Sequence, residues 1–226
     1  MPLKIDLHVH TKYSCDAHIT PKELVKYAKN HGLDGVAITD HNTVDGLREF
    51  GMIKDLLIIP GVEVTTKQGH VLAINVVTTV EADLSFAETI DEIHDAGGLA
   101  IVAHPTAFFK GISKGKLVQN FDAIEVINSS AVPFSFSTRK NRKLAAKLNL
   151  PQTGGSDAHC APEVGMAYTS VDAETIVDDV AKAIKNGAVM PFGRSIPWSM
   201  RLMREYCSIR KRWGRRCRDS SHKSFY

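Results

Sequence analysis

Five expected strands of this chain each end on a histidine or a carboxylate, and that recurrence restricts the fold more than any other feature. Residues 3–7 lead to His8 and His10, 36–39 to Asp40 and His41, and 56–61 to Glu63. Residues 99–103 lead to His104, and 152–156 to Asp157 and His159. Runs of this length, bounded by polar residues, read as strands. Strand side chains alternate faces, so His8 and His10 project from one face, where two imidazoles can grip a metal ion. In a barrel of parallel strands and helices the strand C-termini surround a single mouth. One histidine at a strand end is ordinarily a hydrogen-bonded core-edge residue. Five coincident ends imply a shared site.

The chain between these runs alternates as such a barrel requires. Thr20 and Pro21 start a helix as N-cap and first-turn proline, and His31-Gly32 ends it. A second helix is expected over 43–54 and a buried strand over 71–77. A third helix spans 85–96 and stops at Gly97-Gly98. Residues 123–127 read as a strand whose apolar run is broken by Glu125. A basic helix is expected over 137–148, a last outer helix over 173–185, and a final strand over 188–192.

Six segments in this order and spacing resemble the PHP family, named for its polymerase-associated and histidinol-phosphatase members. They are Asp6-Leu7-His8-Val9-His10-Thr11, Asp16, Thr39-Asp40-His41-Asn42-Thr43, Pro60-Gly61-Val62-Glu63, Ala103-His104-Pro105 and Gly155-Ser156-Asp157-Ala158-His159. The resemblance runs from Leu3 to about Gly193. It implies an α/β fold, a distorted β/α barrel of about seven parallel strands with outer helices, occupying residues 1–193. Most known members are metal-dependent phosphoesterases, and this chain looks most like the small stand-alone ones.

The family pattern groups the ligands. His8, His10, Glu63 and Asp157 would form a first metal site, Glu63 would bridge to a second ion held with His104, and Asp16, His41 and His159 would hold another. Glu63, Asp157 and His104 are thereby the implied catalytic residues. Carboxylate with imidazole suits manganese, zinc or iron. Two or three ions are expected, because Asn128 stands where many relatives carry a cysteine or histidine. Clustered ions acidify a water and take charge from phosphoryl oxygens, so no serine or cysteine nucleophile is required. Lys12, Arg139, Lys140 and Arg194 are candidate phosphate contacts, with Arg favoured for its bidentate geometry. His70, where relatives often have a histidine, is a candidate for substrate or metal contact.

Composition is that of one enzyme domain: 226 residues, 43% hydrophobic, with no apolar run near the ~20 residues that cross a bilayer. Lys4 and Asp6 interrupt any secretory leader pattern, and Cys15, Cys160, Cys207 and Cys217 form no CxxC pair. A cytoplasmic setting is therefore expected, with a packing role for Cys160. Residues 194–226 form a basic helix and tail of local charge +8 in a chain of net +3. A helix is expected over 198–213, with Trp198, Leu202, Tyr206 and Ile209 along one face. This segment reads either as an outer helix covering the barrel, as a nucleic-acid footprint, or as a contact for an acidic membrane surface. The expected reaction is hydrolysis of phosphomonoesters of nucleotides or of the 5′ end of short oligonucleotides. A small-metabolite phosphatase, as for histidinol phosphate, and a nucleic-acid-binding accessory module with a degenerate metal site are the alternatives.

Overall fold

The computed structural model describes residues 1–106 and 120–205. Nine strands form one sheet: β1 (Leu3–Val9), β2 (Gly35–Ile38), β3 (Leu57–Thr65), β4 (His70–Ile74), β5 (Leu99–Val102), β6 (Ala123–Asn128), β7 (Gln152–Gly155), β8 (Ala167–Val171) and β9 (Val189–Gly193), in the order β7-β6-β5-β4-β3-β2-β1-β8-β9. Only β4 and β8 run against the others, which leaves seven strands with a common direction. The expected barrel is present, enlarged by two reversed strands.

The sheet nearly closes through the end of β7. Just beyond that strand, Ala158 bridges Val9 of β1 in parallel, with the His10 N–H donating to the Ala158 carbonyl at 2.9 Å and the Asp157 N–H to the His8 carbonyl at 2.8 Å. Thr169 of β8 completes the seam: its hydroxyl accepts from the Gly154 N–H and donates to the Gly154 carbonyl, both at 2.9 Å. These bonds carry ligand-bearing backbone, so closing the barrel and assembling the site are one event.

Helices cover the outside. In α1 (Pro21–Asn30), Thr20 and Glu23 form a capping box, and Leu24 and Ala28 are buried. In α3 (Phe86–Asp95), Ser85 and Glu88 form another, and Phe86, Ile90 and Ile93 enter the core. The basic helix α4 (Phe134–Leu148) begins three residues earlier than expected and ends at Asn149, in the left-handed region at φ 53°. The last of this series, α5 (Val177–Lys185), buries Val180, Ala181, Ala183 and Ile184.

The second expected helix is the main departure. Only Leu47–Phe50 is helical, as α2, where a run over 43–54 was expected. Asn42 takes φ 53° and its side chain bonds the Thr65 backbone N–H and hydroxyl at 2.7 and 3.1 Å, which holds the chain at the barrel mouth. Gly46 then lies so near Asp40 that a Cβ there would meet its Oδ2 at 2.7 Å. Local propensity yields to the demands of the mouth.

Residues 194–205 lie against the barrel. Ile196 is buried and its N–H donates to the Ser129 carbonyl at 3.0 Å. Residues 198–205 are helical, but Trp198 and Leu202 of the expected apolar face are both 71% exposed. The arginine face packs instead, because the Arg201 guanidinium donates to the carbonyls of Ser129, Ser130 and Ile196 at 3.0, 2.8 and 3.1 Å. Tyr206 and Ile209 lie outside the described residues, as do Cys207, Cys217 and the remainder of the basic tail. No helix among the described residues is long and apolar enough to cross a membrane.

Candidate metal centre

Five histidines surround the buried carboxylate of Glu63. Their ring nitrogens lie 3.5 Å (His8), 3.2 Å (His10), 3.0 Å (His41), 2.9 Å (His70) and 3.0 Å (His104) from its oxygens. Asp157 Oδ1 is 3.7, 3.3 and 3.5 Å from His8 Nε2, His10 Nε2 and His159 Nδ1. Asp16 completes the group, with its oxygens 3.6 Å from His41 Nε2 and 3.3 Å from His159 Nε2. The eight expected ligands and His70 therefore meet at one end of the barrel, although they span residues 8 to 159.

Backbone geometry aims several of them. His104 and Asp157 follow β5 and β7 and have φ of 28° and 53°, a region that non-glycine residues rarely occupy. Such conformations persist where surrounding structure over-determines them, commonly at functional sites. The neighbouring Gly155 makes room: a Cβ there would meet the His8 Cβ at 2.4 Å and Glu125 Oε1 at 3.0 Å.

Ring tautomers follow from the outer partners. His8 Nδ1 lies 3.0 Å from Glu125 Oε1, which can only accept, so Nδ1 carries the hydrogen. His159 Nδ1 lies 2.9 Å from the Asp157 carbonyl and is likewise the donor. Ser14 gives its hydroxyl hydrogen to Asp40 at 2.6 Å, so His10 Nδ1, at 3.3 Å, donates to the Ser14 oxygen. In the neutral form of each ring Nε2 is thereby the lone-pair donor, and those of His8 and His10 sit 3.1 Å apart. Fixing the tautomer from the far nitrogen is a recurrent property of metal-ligating histidines.

Electrostatics fit the same reading. Burial works against charge on His8, but the carboxylates of Glu125, Glu63 and Asp157 hold it well above the usual histidine range. Burial likewise opposes charge on His41, yet Asp16 and Glu63 raise it to about 10. Burial and the neighbouring His10 charge lower His159 to about 3. Glu63 is held well below the carboxylate range by His8 and the other imidazoles, against the effect of its burial. Protons here occupy positions that cations could take.

Donor chemistry also fits divalent ions. Sets that bring their ligand atoms within 4.8 Å of one another are His10, His41 and His159; His8, His10 and Glu63; His8, His104 and Asp157; and Glu63, His70 and His104. Glu63 Oε2, Asp16 Oδ1 and His159 Nε2 are buried with no hydrogen-bond partner among the described residues. An unsatisfied buried polar atom costs ~1–3 kcal/mol, which a coordinated cation relieves.

Four buried carboxylates that the sequence reading did not assign organise this shell. Glu125 Oε2 accepts the His104 N–H at 2.8 Å and Asn128 Nδ2 at 3.0 Å. Asp40 Oδ1 accepts the N–H groups of Thr11 and Ser14 at 2.7 and 3.1 Å, ordering the loop that carries Asp16. Asp6 accepts from Ser156 and Gly165 at 2.9 Å each, while burial pushes its carboxyl up to about 6. Glu163 accepts the His159 and Cys160 N–H groups at 2.7 and 3.1 Å. For Glu125 the signal was available, since it interrupts the apolar run over 123–127. Asn128 bonds in the same shell: its amide nitrogen faces Glu125 and Asp157, and its oxygen accepts the Ser130 N–H at 2.9 Å.

The expected substrate cations behave differently from the ligands. Lys12 is engaged by Glu49 at 2.6 Å. Arg139 and Lys140 lie on the exposed side of α4, lining a surface cavity of about 480 Å³ with Phe136 and Lys143. Arg194 follows β9 and is exposed, its N–H donating to the Met166 carbonyl at 2.9 Å. Cys160 is buried beside His159.

Comparison with known proteins agrees with the geometry. A family model described as PHP-associated matches residues 137–189. Uncharacterized protein MJ1587 of Methanocaldococcus jannaschii is 34% identical over 145 residues, covering 56% of this chain and 82% of that protein. Uncharacterized protein MJ0417 of the same organism is 29% identical over 175 residues, covering 74% and 69%. Among solved structures, PsfC from Pseudomonas syringae matches with a TM-score of 0.70 at 19% identity, over 91% of this chain and 97% of that one. A two-domain protein from Bacteroides vulgatus containing a predicted PHP-like metal-dependent phosphoesterase matches with a TM-score of 0.69 at 22% identity, over 86% of this chain. This chain spans 65% of that two-domain protein, and at such identities the likeness is one of fold. With the ligand cluster at the barrel mouth, the family model over residues 137–189 and the relative in M. jannaschii, the chain belongs to the PHP family.

Proposed function

We propose that this chain is a metal-dependent phosphoesterase that hydrolyses phosphomonoesters of nucleotides or of the 5′ end of short oligonucleotides. The observation that carries the reading is the convergence of five histidines on Glu63, with Asp16, Asp157 and His159 alongside. His8, His10, Glu63 and Asp157 are the proposed holders of one divalent ion, His104 with Glu63 of a second, and Asp16, His41 and His159 of a further one. Manganese, zinc and iron all suit this donor set. When bound, such ions acidify a water and take up charge from phosphoryl oxygens. Glu63 shares its two oxygens between the groups, His10 and His41 facing Oε2 and His70 and His104 facing Oε1. The closed outer shell of Glu125, Asp40 and Glu163 keeps the ligands in register and so limits reorganisation during turnover.

A nucleotide-like substrate is favoured by the basic surface of α4. α4 starts just after β6 and exposes Arg139, Lys140, Arg142, Lys143 and Lys147, with no acidic residue along its length. Such a face attracts successive phosphates. The test is a metal-loaded sample of the full chain, loaded in turn with manganese, zinc and iron. Phosphate release is followed from an aryl phosphate, mononucleotides, 5′-phosphorylated short RNA and histidinol phosphate. Metal-dependent release, greater from nucleotides than from histidinol phosphate, is the expected result. Release from histidinol phosphate alone would transfer the reading to a metabolite phosphatase. A loaded protein inert on every ester would end the enzymatic reading.

A further inference from the structure

The C-terminal segment brings a guanidinium between the loop after β6 and the loop that carries Asp157 and His159. Arg204 Nη1 donates to Ser130 Oγ at 2.8 Å and lies 3.9 Å from Glu163 Oε2. Ser130 is tied by its N–H to Asn128, whose amide nitrogen lies 3.4 Å from Asp157 Oδ2. Glu163 holds the His159 N–H at 2.7 Å. Arg204 is therefore two residues, Ser130 and Asn128, removed from Asp157 on one side and one residue, Glu163, removed from His159 on the other.

Its neighbours have other occupations. Arg201 gives its donors to three backbone carbonyls and acts as a clasp. Lys12 faces Glu49, and Arg139 lies out on α4. Arg204 side-chain exposure is 15%, so it is held in place without being sealed off. Its one hydrogen bond among the described residues uses a single donor of the five that a guanidinium offers. The nearest carboxylate, at 3.9 Å, is already occupied by two backbone N–H groups. A guanidinium with donors to spare, beside a cluster proposed to bind phosphoryl groups, suits an anionic oxygen of the substrate.

We infer that Arg204 is a substrate-binding residue of this chain, supplied by the segment after β9 and oriented by Ser130 and Glu163 to hold a phosphoryl oxygen at the metal centre. This rests on the phosphoesterase reading of the cluster. It also turns the segment after Gly193 from a covering helix into a contributor to the site.

The experiment uses the full metal-loaded chain and inorganic phosphate as the probe, with affinity measured by calorimetry. Arg204→Gln and Arg204→Lys are compared with Lys185→Gln, which removes a charge at the far end of the barrel, where Lys185 pairs with Asp122 just before β6. Metal content and melting temperature are read for each. Arg204→Gln is expected to weaken phosphate binding roughly 10- to 100-fold, the range for a charge-assisted hydrogen bond. Arg204→Lys should recover part of the loss, and metal content and melting should stay at wild-type values. Lys185→Gln should bind phosphate as wild type does. Unchanged phosphate affinity in Arg204→Gln would overturn the inference. Equal loss of metal and thermal stability in Arg204→Gln and Arg204→Lys would overturn it too, by making Arg204 a clasp like Arg201. Wild type that binds phosphate but cleaves no ester would refute the phosphoesterase reading while leaving the Arg204 comparison decisive for binding.

Discussion

Glu125 Oε1, on β6, accepts the Nδ1 hydrogen of His8, on β1, at 3.0 Å, across a separation of 117 residues. Its other oxygen takes the His104 N–H at 2.8 Å. One buried carboxylate thus orients two ligands from different strands. In Glu125→Gln one oxygen becomes an amide nitrogen, which sets a donor against a donor at one of these contacts. Loss of an outer partner of this kind typically costs ~10–100-fold in metal affinity or activity. A competitive chelator titration should show that loss; affinity equal to wild type would remove Glu125 from its positioning role.

Glu63 tests the centre itself. It has contacts to five histidines, so Glu63→Gln should reduce kcat by more than the ~10–100-fold expected for an outer-shell change. The fold should survive, since the cluster lies at the mouth and the apolar core lies elsewhere. Circular dichroism checks the fold and phosphate release checks the chemistry. Wild-type turnover in a fully loaded Glu63→Gln sample would refute its assignment.

Gly155 is a steric test of the same region. Adding a methyl group creates a contact of 2.4 Å with the His8 Cβ and 2.9 Å with the His8 backbone nitrogen. Gly155→Ala should destabilise the protein by ~1–3 kcal/mol, the usual cost of overpacking, and lower metal content together with melting temperature. A variant that melts and loads as wild type would mean that β1 can shift without disturbing the site.

Metal loading and metal-free stability should respond to pH in opposite directions. In the metal-free chain His41 is raised to about 10 and His8 is raised as well, so both carry protons at neutral pH. A group with a raised folded pKa contributes stability that is complete below its unfolded value, 6.5 for histidine, and is lost as pH rises through the folded value. The metal-free melting temperature should therefore fall between about pH 6.5 and about pH 10. His159, lowered to about 3, is neutral in the folded state over this window, and only the residual protonation of its unfolded form near pH 6.5 opposes the fall. Metal must displace the same protons, so affinity should rise over that window and binding should release protons. Calorimetry in buffers of different ionisation enthalpy measures the release; no release at pH 7 would contradict protonated His8 and His41.

Two truncations separate the parts of the C-terminal segment. Ending the chain at Gly193 removes buried Ile196 and the Arg201 clasp on Ser129 and Ser130, and should cost ~2–4 kcal/mol through lost burial and hydrogen bonds. Removing residues 210–226 leaves both in place and should keep the melting temperature. If the tail binds nucleic acid, that second truncation should weaken oligonucleotide capture, less so at high salt, and spare hydrolysis of an aryl phosphate. Equal losses on both substrates would indicate a tail that packs on the barrel.

The barrel, its strand-end ligands and the capped helices α1 and α3 were legible in the sequence because each depends on local order. Alternation puts His8 and His10 on one face, a capping box needs only Thr20 and Glu23, and an apolar run ends where its polar residue stands. The sequence alone also determined which residues could serve as ligands. It did not determine what those ligands lean on. Asp6, Asp40, Glu125 and Glu163 act through backbone N–H groups of residues that are distant in the chain or folded back by turns, and only the closed barrel brings them within reach. The single turn of α2 was likewise decided by contacts of Asn42 with Thr65 and by crowding at Gly46, which override helix propensity over 43–54. The C-terminal segment shows the same division. Its amphipathic pattern is visible in sequence, but the carbonyls of Ser129 and Ser130 draw in the arginine face and leave Trp198 and Leu202 outside.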